Sequence, residues 1–468
     1  MRKVDPNKLT TQSGRTPGQG IETRLAPTKA LVLCPILRAT KPASSRNRAQ
    51  ANTRTDQERL DEAIGLARAI SLDICHSGVV QIAKPNAGTF FGSGKVEELR
   101  GIAAAENADL VIVDHPLTPV QQRNLEQAWN VKVLDRTGLI LEIFGERART
   151  REGRLQVELA HLTYQKSRLV RSWTHLERQR GGGGFLGGPG ETQIEADRRA
   201  LQNRIVRIRK MLDQVQRTRM LHRKGRKRVP YAIVALVGYT NAGKSTLFNR
   251  LTGAGVETGD MLFATLDPTM REIRLPGGTR AILSDTVGFI SNLPTGLIAA
   301  FRATLEEVLE ADLIVHVRDI SSSATEEQRR DVEIILSELG IETAQPEKTV
   351  FEVWNKIDLL EDESREKLRN AAARSKGVAA GVSAMTGEGV PALLEAIEER
   401  INSAATMLDI TLQPGEGALI NWLHENTQML GQSTDENGRT TCRVRISEQK
   451  RDQFMQRFSG RYLAAAAE

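Results

Sequence analysis

Cysteine and aromatic residues are scarce in this chain of 468 residues. Its three cysteines, Cys34, Cys75 and Cys442, lie far apart, and none belongs to a Cys-x-x-Cys pair. An odd and scattered set of cysteines argues against a disulfide framework and against a zinc site. Aromatic residues make up 4% of the chain, so few side chains could stack on nucleic-acid bases.

Long apolar runs are missing as well. No stretch reaches the length of a membrane span, and the N-terminus lacks the apolar segment of a secretory signal. We therefore expect a cytoplasmic protein without stable membrane insertion. The length predicts about three domains, and the net charge of +7 suggests a polyanionic partner.

What the sequence does contain is a phosphate-binding loop in its required context. The apolar run Ala232–Val237 predicts a buried parallel strand, and Leu247–Leu251 predicts the start of a helix. Between them lies G-x-x-x-x-G-K-S, whose glycines let backbone N–H groups close on phosphates. We expect Lys244 to reach the β- and γ-phosphates and the Ser245 hydroxyl to ligate Mg²⁺. The predicted nucleotide contacts in this loop are Gly238, Tyr239, Thr240, Asn241, Ala242, Gly243, Lys244, Ser245 and Thr246.

Two further segments have the pattern of loops that sense the γ-phosphate. Thr265 is the first candidate for contact with Mg²⁺ and the γ-phosphate, and Thr269 is the alternative. A strand that ends at Asp285 leads into D-x-x-G, in which Asp285 would hold Mg²⁺ through water and the Gly288 N–H would face the γ-phosphate. The predicted catalytic groups are Lys244, Thr265 and Gly288, and the predicted metal ligands are Ser245, Thr265 and Asp285. The other predicted contacts are Phe263, Ala264, Leu266, Asp267, Thr286 and Val287.

Two later motifs predict which base is bound. The N-K-x-D motif follows an apolar strand, and its Asp358 carboxylate would accept from guanine N1–H and the 2-amino group. Adenine has neither donor, so a buried carboxylate facing it would stay unpaired. The Ala384 N–H in S-A-M can face guanine O6. The predicted base contacts are Asn355, Lys356, Ile357, Asp358, Ser383, Ala384 and Met385. Five motifs in this order predict a GTPase domain of the translation-factor type.

The position after D-x-x-G departs from the commonest GTPase pattern. A glutamine there often orients the attacking water, whereas this chain has Phe289 followed by Ile290. Neither side chain can hydrogen-bond water, so we expect slow hydrolysis by the protein alone. The missing group would come from a partner, from a potassium ion or from another part of the chain.

The rest of the chain is predicted to form three further units and a tail, all within the α/β class. The predicted division is 1–28 (disordered tail), 29–149 (α/β unit), 150–228 (helical hairpin), 229–404 (GTPase domain) and 405–468 (small α/β unit). Alternating strands and helices in the first α/β unit predict a parallel sheet. Its Gly92–Lys95 segment favours a tight turn before a helix, with a basic contact to a phosphate backbone as the alternative. In the last unit, Trp422 and Phe454 are expected in the core.

The hairpin is predicted from two long apolar stripes, Arg151–Arg180 and Glu191–Lys224. The glycine-rich loop Gly181–Gly190 is either a flexible linker or a surface that approaches RNA or a phosphate closely. From Arg198 to Arg228 the second helix is basic, and Asp213 is its only acid. Because a solvated charged face normally mixes signs, this charge favours a phosphate backbone as the partner.

These motifs together resemble the GTPase HflX family, a bacterial family of the translation-factor class, from about Ala30 to Gly460. The most specific stretches are Arg147–Leu162, Gly187–Thr192, the P-loop, F-A-T-L-D-P-T and D-T-V-G-F-I. The resemblance implies binding to the large ribosomal subunit and splitting of ribosomes, for example those stalled by stress. It also implies that an α/β unit and a helical pair precede the GTPase domain, and that position 289 is hydrophobic.

The leading hypothesis is therefore a monomeric, ribosome-associated switch that binds GTP and GDP. A GTP-gated RNA-remodelling or ribosome-assembly factor is one alternative, but residues 29–228 offer no catalytic constellation for RNA chemistry. A signalling adaptor for a protein partner is the other, and the basic helix argues against a purely protein partner.

Overall fold

The structure is a computed structural model, and it describes most of the chain. The described residues are 27–37, 54–179, 189–226, 231–254, 262–263, 265–266, 268–291, 307–341, 349–374, 381–403, 405–435, 438–447, 451, 454–455, 457–458 and 463–464. Nearly all of the predicted tail lies outside them. Within these ranges, no helix combines the length and the apolar character needed to cross a membrane.

The N-terminal unit is a four-stranded parallel sheet with helices on both faces. Its strands are β1 (Lys29–Leu37), β2 (Asp73–Ile82), β3 (Leu110–Val113) and β4 (Lys132–Asp135), in the order β2-β1-β3-β4. Its helices are α1 (Asp56–Arg68), α2 (Ser93–Ala105), α3 (Pro119–Trp129) and α4 (Arg136–Arg147). Because strand side chains alternate between faces, Leu31 and Leu33 lie in the core with α2 and α3, whereas Ala30 and Val32 lie in the core with α1 and α4.

A pair of long helices follows, α5 (Arg151–Gln179) and α6 (Pro189–Arg226). They run antiparallel, because Glu158 pairs with Arg204 at 2.6 Å while Lys166 further along α5 bonds Gln202 at 2.5 Å. The last two residues of the predicted glycine-rich loop belong to α6, and residues 180–188 lie outside the described ranges.

The GTPase unit contains a five-stranded sheet in the order β6-β7-β5-β8-β9. The strands are β5 (Ala232–Val237), β6 (Thr269–Arg274), β7 (Arg280–Asp285), β8 (Leu313–Asp319) and β9 (Thr349–Asn355). Only the β6–β7 pairing is antiparallel among the pairings described in this sheet. The helices are α7 (Lys244–Thr252), α8 (Thr325–Glu338), α9 (Asp362–Arg374) and α10 (Val390–Ser403). Directly before S-A-M, Val382 forms an isolated parallel bridge with Asn355 at the end of β9.

The C-terminal unit is an antiparallel sheet with its own core. It contains β10 (Ala405–Leu412), α11 (Gly417–Asn426), β11 (Gln428–Thr434), β12 (Thr440–Ser447) and β13 (Leu463–Ala464), with the strand order β11-β12-β10-β13. Trp422 and Phe454 are 8% and 2% exposed within this core, which confirms that prediction.

The N-terminal and GTPase units share one hydrophobic core. Its members from α1 and α4 include Ala63, Leu66, Ala67, Leu139, Ile140 and Phe144, and those from the GTPase unit include Phe263, Leu266, Val287, Phe289, Ile290 and Ile335. Across this contact the rings of Phe144 and Phe263 meet edge to face, with centroids 4.8 Å apart. The units are thus joined directly at the segments predicted to sense the γ-phosphate, while the predicted domain boundaries stay predictions.

Candidate functional site

The predicted P-loop joins β5 to α7 at the carboxyl edge of the sheet. Gly243 has a φ of +88°, and a Cβ there would lie 2.2 Å from Asn355 Nδ2, so only glycine fits. The Lys244 ammonium is buried and donates to the carbonyl oxygens of Gly238 at 3.0 Å and Tyr239 at 2.8 Å. An ammonium has three donors, so one lies outside these two bonds and suits a phosphate oxygen. Burial lowers the pKa of Lys244 to about 8.

The three predicted metal ligands meet beside this lysine. Ser245 Oγ and Thr265 Oγ1 donate to Asp285 Oδ2 at 2.7 and 2.9 Å, and the two hydroxyl oxygens are 2.9 Å apart. Asp285 is fully buried, which raises its pKa, and its Oδ1 has no hydrogen-bond partner among the described residues. A buried carboxylate oxygen of this kind, next to two hydroxyls, fits a hard cation that prefers oxygen ligands. The alternative threonine, Thr269, is instead the first residue of β6.

The D-x-x-G segment lies directly against the P-loop. A Cβ on Gly288 would be 2.8 Å from Thr240 Cγ2 and 3.1 Å from Lys244 Nζ, so a side chain there would collide with the loop. The Thr240 N–H donates to the Phe289 carbonyl at 2.7 Å, and the Phe289 N–H donates to the Gly238 carbonyl at 3.1 Å. This bridge brings Gly288 next to the lysine that is expected to reach the terminal phosphate.

The hydrophobic residue at position 289 belongs to the core that the two units share. Phe289 is 2% exposed and Ile290 is fully buried in that core. A glutamine at this position would place its amide among apolar side chains, where an unpaired polar group is costly. The missing polar residue is therefore explained by packing against the N-terminal unit.

The predicted base pocket is held together by Asn355. Its Nδ2 donates to the Ala242 carbonyl of the P-loop at 2.8 Å, and its Oδ1 accepts from the Ala384 N–H at 3.0 Å. Because this N–H is engaged by Asn355, its bond to guanine O6 stays a prediction. Asp358 Oδ1 is buried and lacks a hydrogen-bond partner within the described structure. Such an oxygen suits the two neighbouring donors of guanine.

The sequence did not reveal the residue that holds the S-A-M segment in place. Arg250, near the end of α7, donates from Nε to the Ala384 carbonyl at 3.1 Å and also bonds the Met385 carbonyl. Arg250 belongs to none of the motifs identified in the sequence, so the sequence pattern alone could not identify its role.

Other predicted contacts have different surroundings. Ala264 and Asp267 lie outside the described residues. Phe263, Leu266 and Val287 are buried in the shared core, so their side chains are committed to packing. Thr286 is buried and donates to the Leu236 carbonyl at 2.6 Å. The remaining predicted contacts, Asn241, Thr246, Lys356, Ile357, Ser383 and Met385, lie on the P-loop, α7 and the two base segments.

Four protein-family models match successive parts of this chain. Their descriptions are "GTP-binding GTPase N-terminal" for residues 57–145, "GTP-binding GTPase Middle Region" for 147–226, "50S ribosome-binding GTPase" for 233–356 and "HflX C-terminal domain" for 367–467. GTPase HflX of Magnetococcus marinus is 49% identical to this chain, over 88% of this chain and 90% of that protein. The chain belongs to the GTPase HflX family. GTPase HflX of Escherichia coli is 43% identical over 84% of this chain and 90% of its own length.

Membership in the HflX family makes this protein a GTPase. It confirms the family, the α/β class with a P-loop GTPase domain and the enzymatic activity that the sequence predicted. Among solved structures, the complex of SsGBP with GDP aligns with 80% of this chain and 98% of its own, at 23% identity and a TM-score of 0.45.

Proposed function

We propose that this HflX-family GTPase binds the large ribosomal subunit and uses GTP to split or rescue ribosomes under stress. The observation that carries the proposal is a basic helix, α6, in the same chain as the nucleotide site. The family model for residues 233–356, described as "50S ribosome-binding GTPase", supports the large subunit as the partner.

The exposed surface of α6 is rich in cations. Its apolar residues Ile205, Ile208 and Leu212 are buried, and Ile208 and Leu212 form a core with Leu155 of α5. The exposed basic residues are Arg198, Arg199, Arg204, Arg207, Arg209, Lys210 and Arg217. Over residues 198–217 Asp213 is the only acid beside these cations. Such an excess of positive charge suits ribosomal RNA, because neutralising phosphates releases bound counterions.

The nucleotide site gives this binding a switch. In the proposal, Lys244 and Gly288 contact the phosphates, and Asp358 with the S-A-M segment selects guanine. Ser245, Thr265 and Asp285 would hold Mg²⁺, which when bound supplies positive charge to the phosphate oxygens. The segments near the γ-phosphate are packed on the N-terminal unit, so a change there can reach the helical pair.

The deciding experiment is sedimentation with purified small and large subunits, under a non-hydrolysable GTP analogue, GDP or no nucleotide. We expect binding to the large subunit, strongest with the GTP analogue, and conversion of intact ribosomes to subunits. Binding only to protein-free RNA or to immature particles would favour the RNA-remodelling or assembly role. Absence of binding to any ribosomal particle would favour the adaptor.

A second measurement concerns the rate of hydrolysis. Because Phe289 cannot orient water, we expect slow turnover by the protein alone and a rise of at least about tenfold with large subunits. Assays in potassium and in sodium salts show whether a potassium ion or the ribosome supplies the missing catalytic group. Fast turnover in sodium without any partner would contradict the proposal that hydrolysis is completed by an added component.

A further inference from the structure

A buried polar cluster connects the N-terminal unit to the nucleotide site, and the proposed function does not account for it. Its members are Arg54, Glu62, Arg136, Tyr239 and Ser291, and we name it the Tyr239 cluster. Tyr239 is the second residue of the P-loop pattern, and Ser291 is the third residue after Gly288. The other three come from the N-terminal unit. The cluster therefore joins the two loops that enclose the terminal phosphate to a different part of the chain.

The Tyr239 hydroxyl is at the centre of the cluster. It donates to Glu62 Oε2 at 2.6 Å and accepts from the Ser291 N–H at 2.9 Å. Arg54 donates from one nitrogen to both the Tyr239 hydroxyl and Glu62 Oε2, each at 3.2 Å. A phenol has a single O–H donor. Because Glu62 takes that donor, the hydroxyl oxygen is directed as an acceptor toward Ser291.

Glu62 and Arg136 hold the remaining polar groups of Ser291. Glu62 Oε1 accepts from Arg136 at 2.5 Å and from the Ser291 hydroxyl at 3.1 Å, and Arg136 also donates to the Ser291 carbonyl at 2.9 Å. Arg136 is fixed in turn by Asp114, with 2.5 Å between nitrogen and oxygen. Burial alone would raise the pKa of Glu62, but Arg136, the Tyr239 hydroxyl and Arg54 lower it, so its carboxylate stays charged.

The segment after Gly288 is thus fixed at both ends. Phe289 is bridged to Gly238 and Thr240 through the backbone, and Ser291 is held through its N–H, carbonyl and hydroxyl. These bonds leave little positional freedom for Gly288, whose N–H is the group expected to face the γ-phosphate. The side chains of this network bond protein groups, and they can control geometry close to the reacting atoms in this way.

We propose that Tyr239 and Glu62 are positioning residues for GTP hydrolysis, which fix the segment from Gly288 to Ser291 against the P-loop. The N-terminal unit thereby sets the geometry of the γ-phosphate contact. The inference rests on the nucleotide site proposed above. GDP has no γ-phosphate. We therefore expect the cluster to affect GTP binding and hydrolysis, and to affect GDP binding far less.

The test uses Tyr239→Phe and Glu62→Gln in the full chain. Single-turnover hydrolysis is measured together with affinities for GDP and for a non-hydrolysable GTP analogue. We expect hydrolysis to slow at least about fivefold, GDP affinity to stay within about twofold, and the ratio of analogue to GDP affinity to fall. The double variant should be no slower than the slower single variant, because both changes break one connected unit.

Glu58→Gln is the matched control. Glu58 lies one turn before Glu62 on α1 and bonds the Ser323 hydroxyl of the GTPase unit, but it has no hydrogen bond to the Tyr239 cluster in the described structure. Glutamine also keeps the capping box of α1. This variant breaks a contact between the same two units, and it should hydrolyse GTP at the parent rate.

Three results would overturn the inference. One is hydrolysis at the parent rate in both cluster variants, together with the parent's ratio of analogue affinity to GDP affinity. Another is an equal loss of GDP and analogue affinity, which would mean that the cluster only maintains the P-loop. The third is a control variant as slow as Glu62→Gln, which would mean that general docking of the units matters. If Tyr239→Phe does not fold, Glu62→Gln decides alone. Failure of the parent protein to bind GDP would instead refute the proposed nucleotide site.

Discussion

Lys244, Thr265 and Asp285 of the nucleotide site are buried, and two carboxylates of the site have an oxygen without a hydrogen-bond partner in the described structure. These oxygens are Asp285 Oδ1 and Asp358 Oδ1. The sequence predicted both residues because motif spacing at strand ends fixes their place. It could not predict Arg250 or Glu62, because their contacts with Ala384 and Tyr239 join segments 134 and 177 residues apart. Pairs so distant in sequence leave no periodic pattern.

Replacing Asp358 by asparagine should exchange guanine for xanthine specificity. The asparagine amide presents an N–H toward guanine N1–H, so two donors oppose each other, whereas xanthine has a carbonyl at the 2-position and restores a pair. We expect GTP affinity to fall at least about tenfold and xanthosine triphosphate affinity to rise. Titration of the parent and the variant with both nucleotides measures this exchange. Unchanged GTP binding would remove Asp358 from the base pocket.

Nucleotide affinity should also depend on pH through Lys244. Burial lowers its pKa to about 8, and a bound phosphate favours the charged ammonium, so the pKa is higher in the complex. Affinity is therefore full below the free pKa and falls as pH rises through it. Between about pH 7 and about pH 8.5 the Kd for GDP should increase about fourfold.

Calorimetric titrations at constant Mg²⁺ can follow this increase. Guanosine, which has no phosphate, is the control and should show no comparable change over the same range. A flat profile for GDP would mean that Lys244 remains fully charged in the free protein.

At the scale of helices and strands, the errors of sequence-based prediction have identifiable causes. β6 was missed because it is a polar edge strand in which Ile273 alone is buried. β8 was missed because buried His316 and Arg318 interrupt its apolar character. Arg318 is paired with Glu352 at 2.8 Å, and burial lowers the pKa of His316 to about 3, so it stays neutral. The long helices were predicted within two residues at each end, because an apolar stripe over many turns is distinctive.

Charge on α6 should determine affinity for ribosomal subunits. The test variant changes the exposed residues Arg207, Arg209, Lys210 and Arg217 to glutamine. For every phosphate interaction that the variant removes, the slope of log affinity against log salt should become shallower by about 0.7–0.9. Nucleotide affinity should remain within about twofold of the parent, because these residues belong to a different element from the P-loop.

Subunit pelleting at several salt concentrations measures both the affinity and its slope. The matched control changes four exposed arginines elsewhere, Arg100, Arg123, Arg271 and Arg274, to glutamine, which alters the net charge equally. If affinity falls equally in both variants, total charge and not the α6 surface attracts the subunit. If affinity falls in neither, the ribosome binds another surface of the protein.

For the whole molecule, the distribution of hydrophobic cores predicts which parts of the protein are stabilised together by bound nucleotide. The N-terminal and GTPase units share a core through Phe144 and Phe263, whereas the C-terminal unit buries its own apolar residues around Trp422 and Leu423. The sequence predicted separate units and could not predict this shared core, because the apolar stripe of a helix does not specify its partner.

Nucleotide binding should therefore slow hydrogen exchange in helices that do not contact the nucleotide. GDP at about 100 times its Kd adds about 2.7 kcal/mol to the stability of the unit that binds it. We expect slower hydrogen exchange in α1 and α4 with GDP, and unchanged exchange in β10 and β12 of the C-terminal unit. Mass spectrometry of exchanged peptides resolves these segments. Equal protection of the C-terminal strands, or none in α1 and α4, would contradict coupling through the shared core.

Because α6 is long, a small rotation of the helical pair displaces the ends of this helix much more than its middle. The helix has 38 residues, which corresponds to about 57 Å. Its partner α5 is anchored to the N-terminal unit, where Tyr164 and Arg168 bond Asp135 at 2.6 and 2.7 Å. The anchor lies level with Gln202, which Lys166 bonds, so about 20 Å of α6 extend from there to Pro189 and about 36 Å to Arg226. A rotation of about 10° at the anchor would carry these two ends through about 3.5 Å and about 6 Å. Small motions of the phosphate loops would thus become displacements of several ångströms at the ends of the helix.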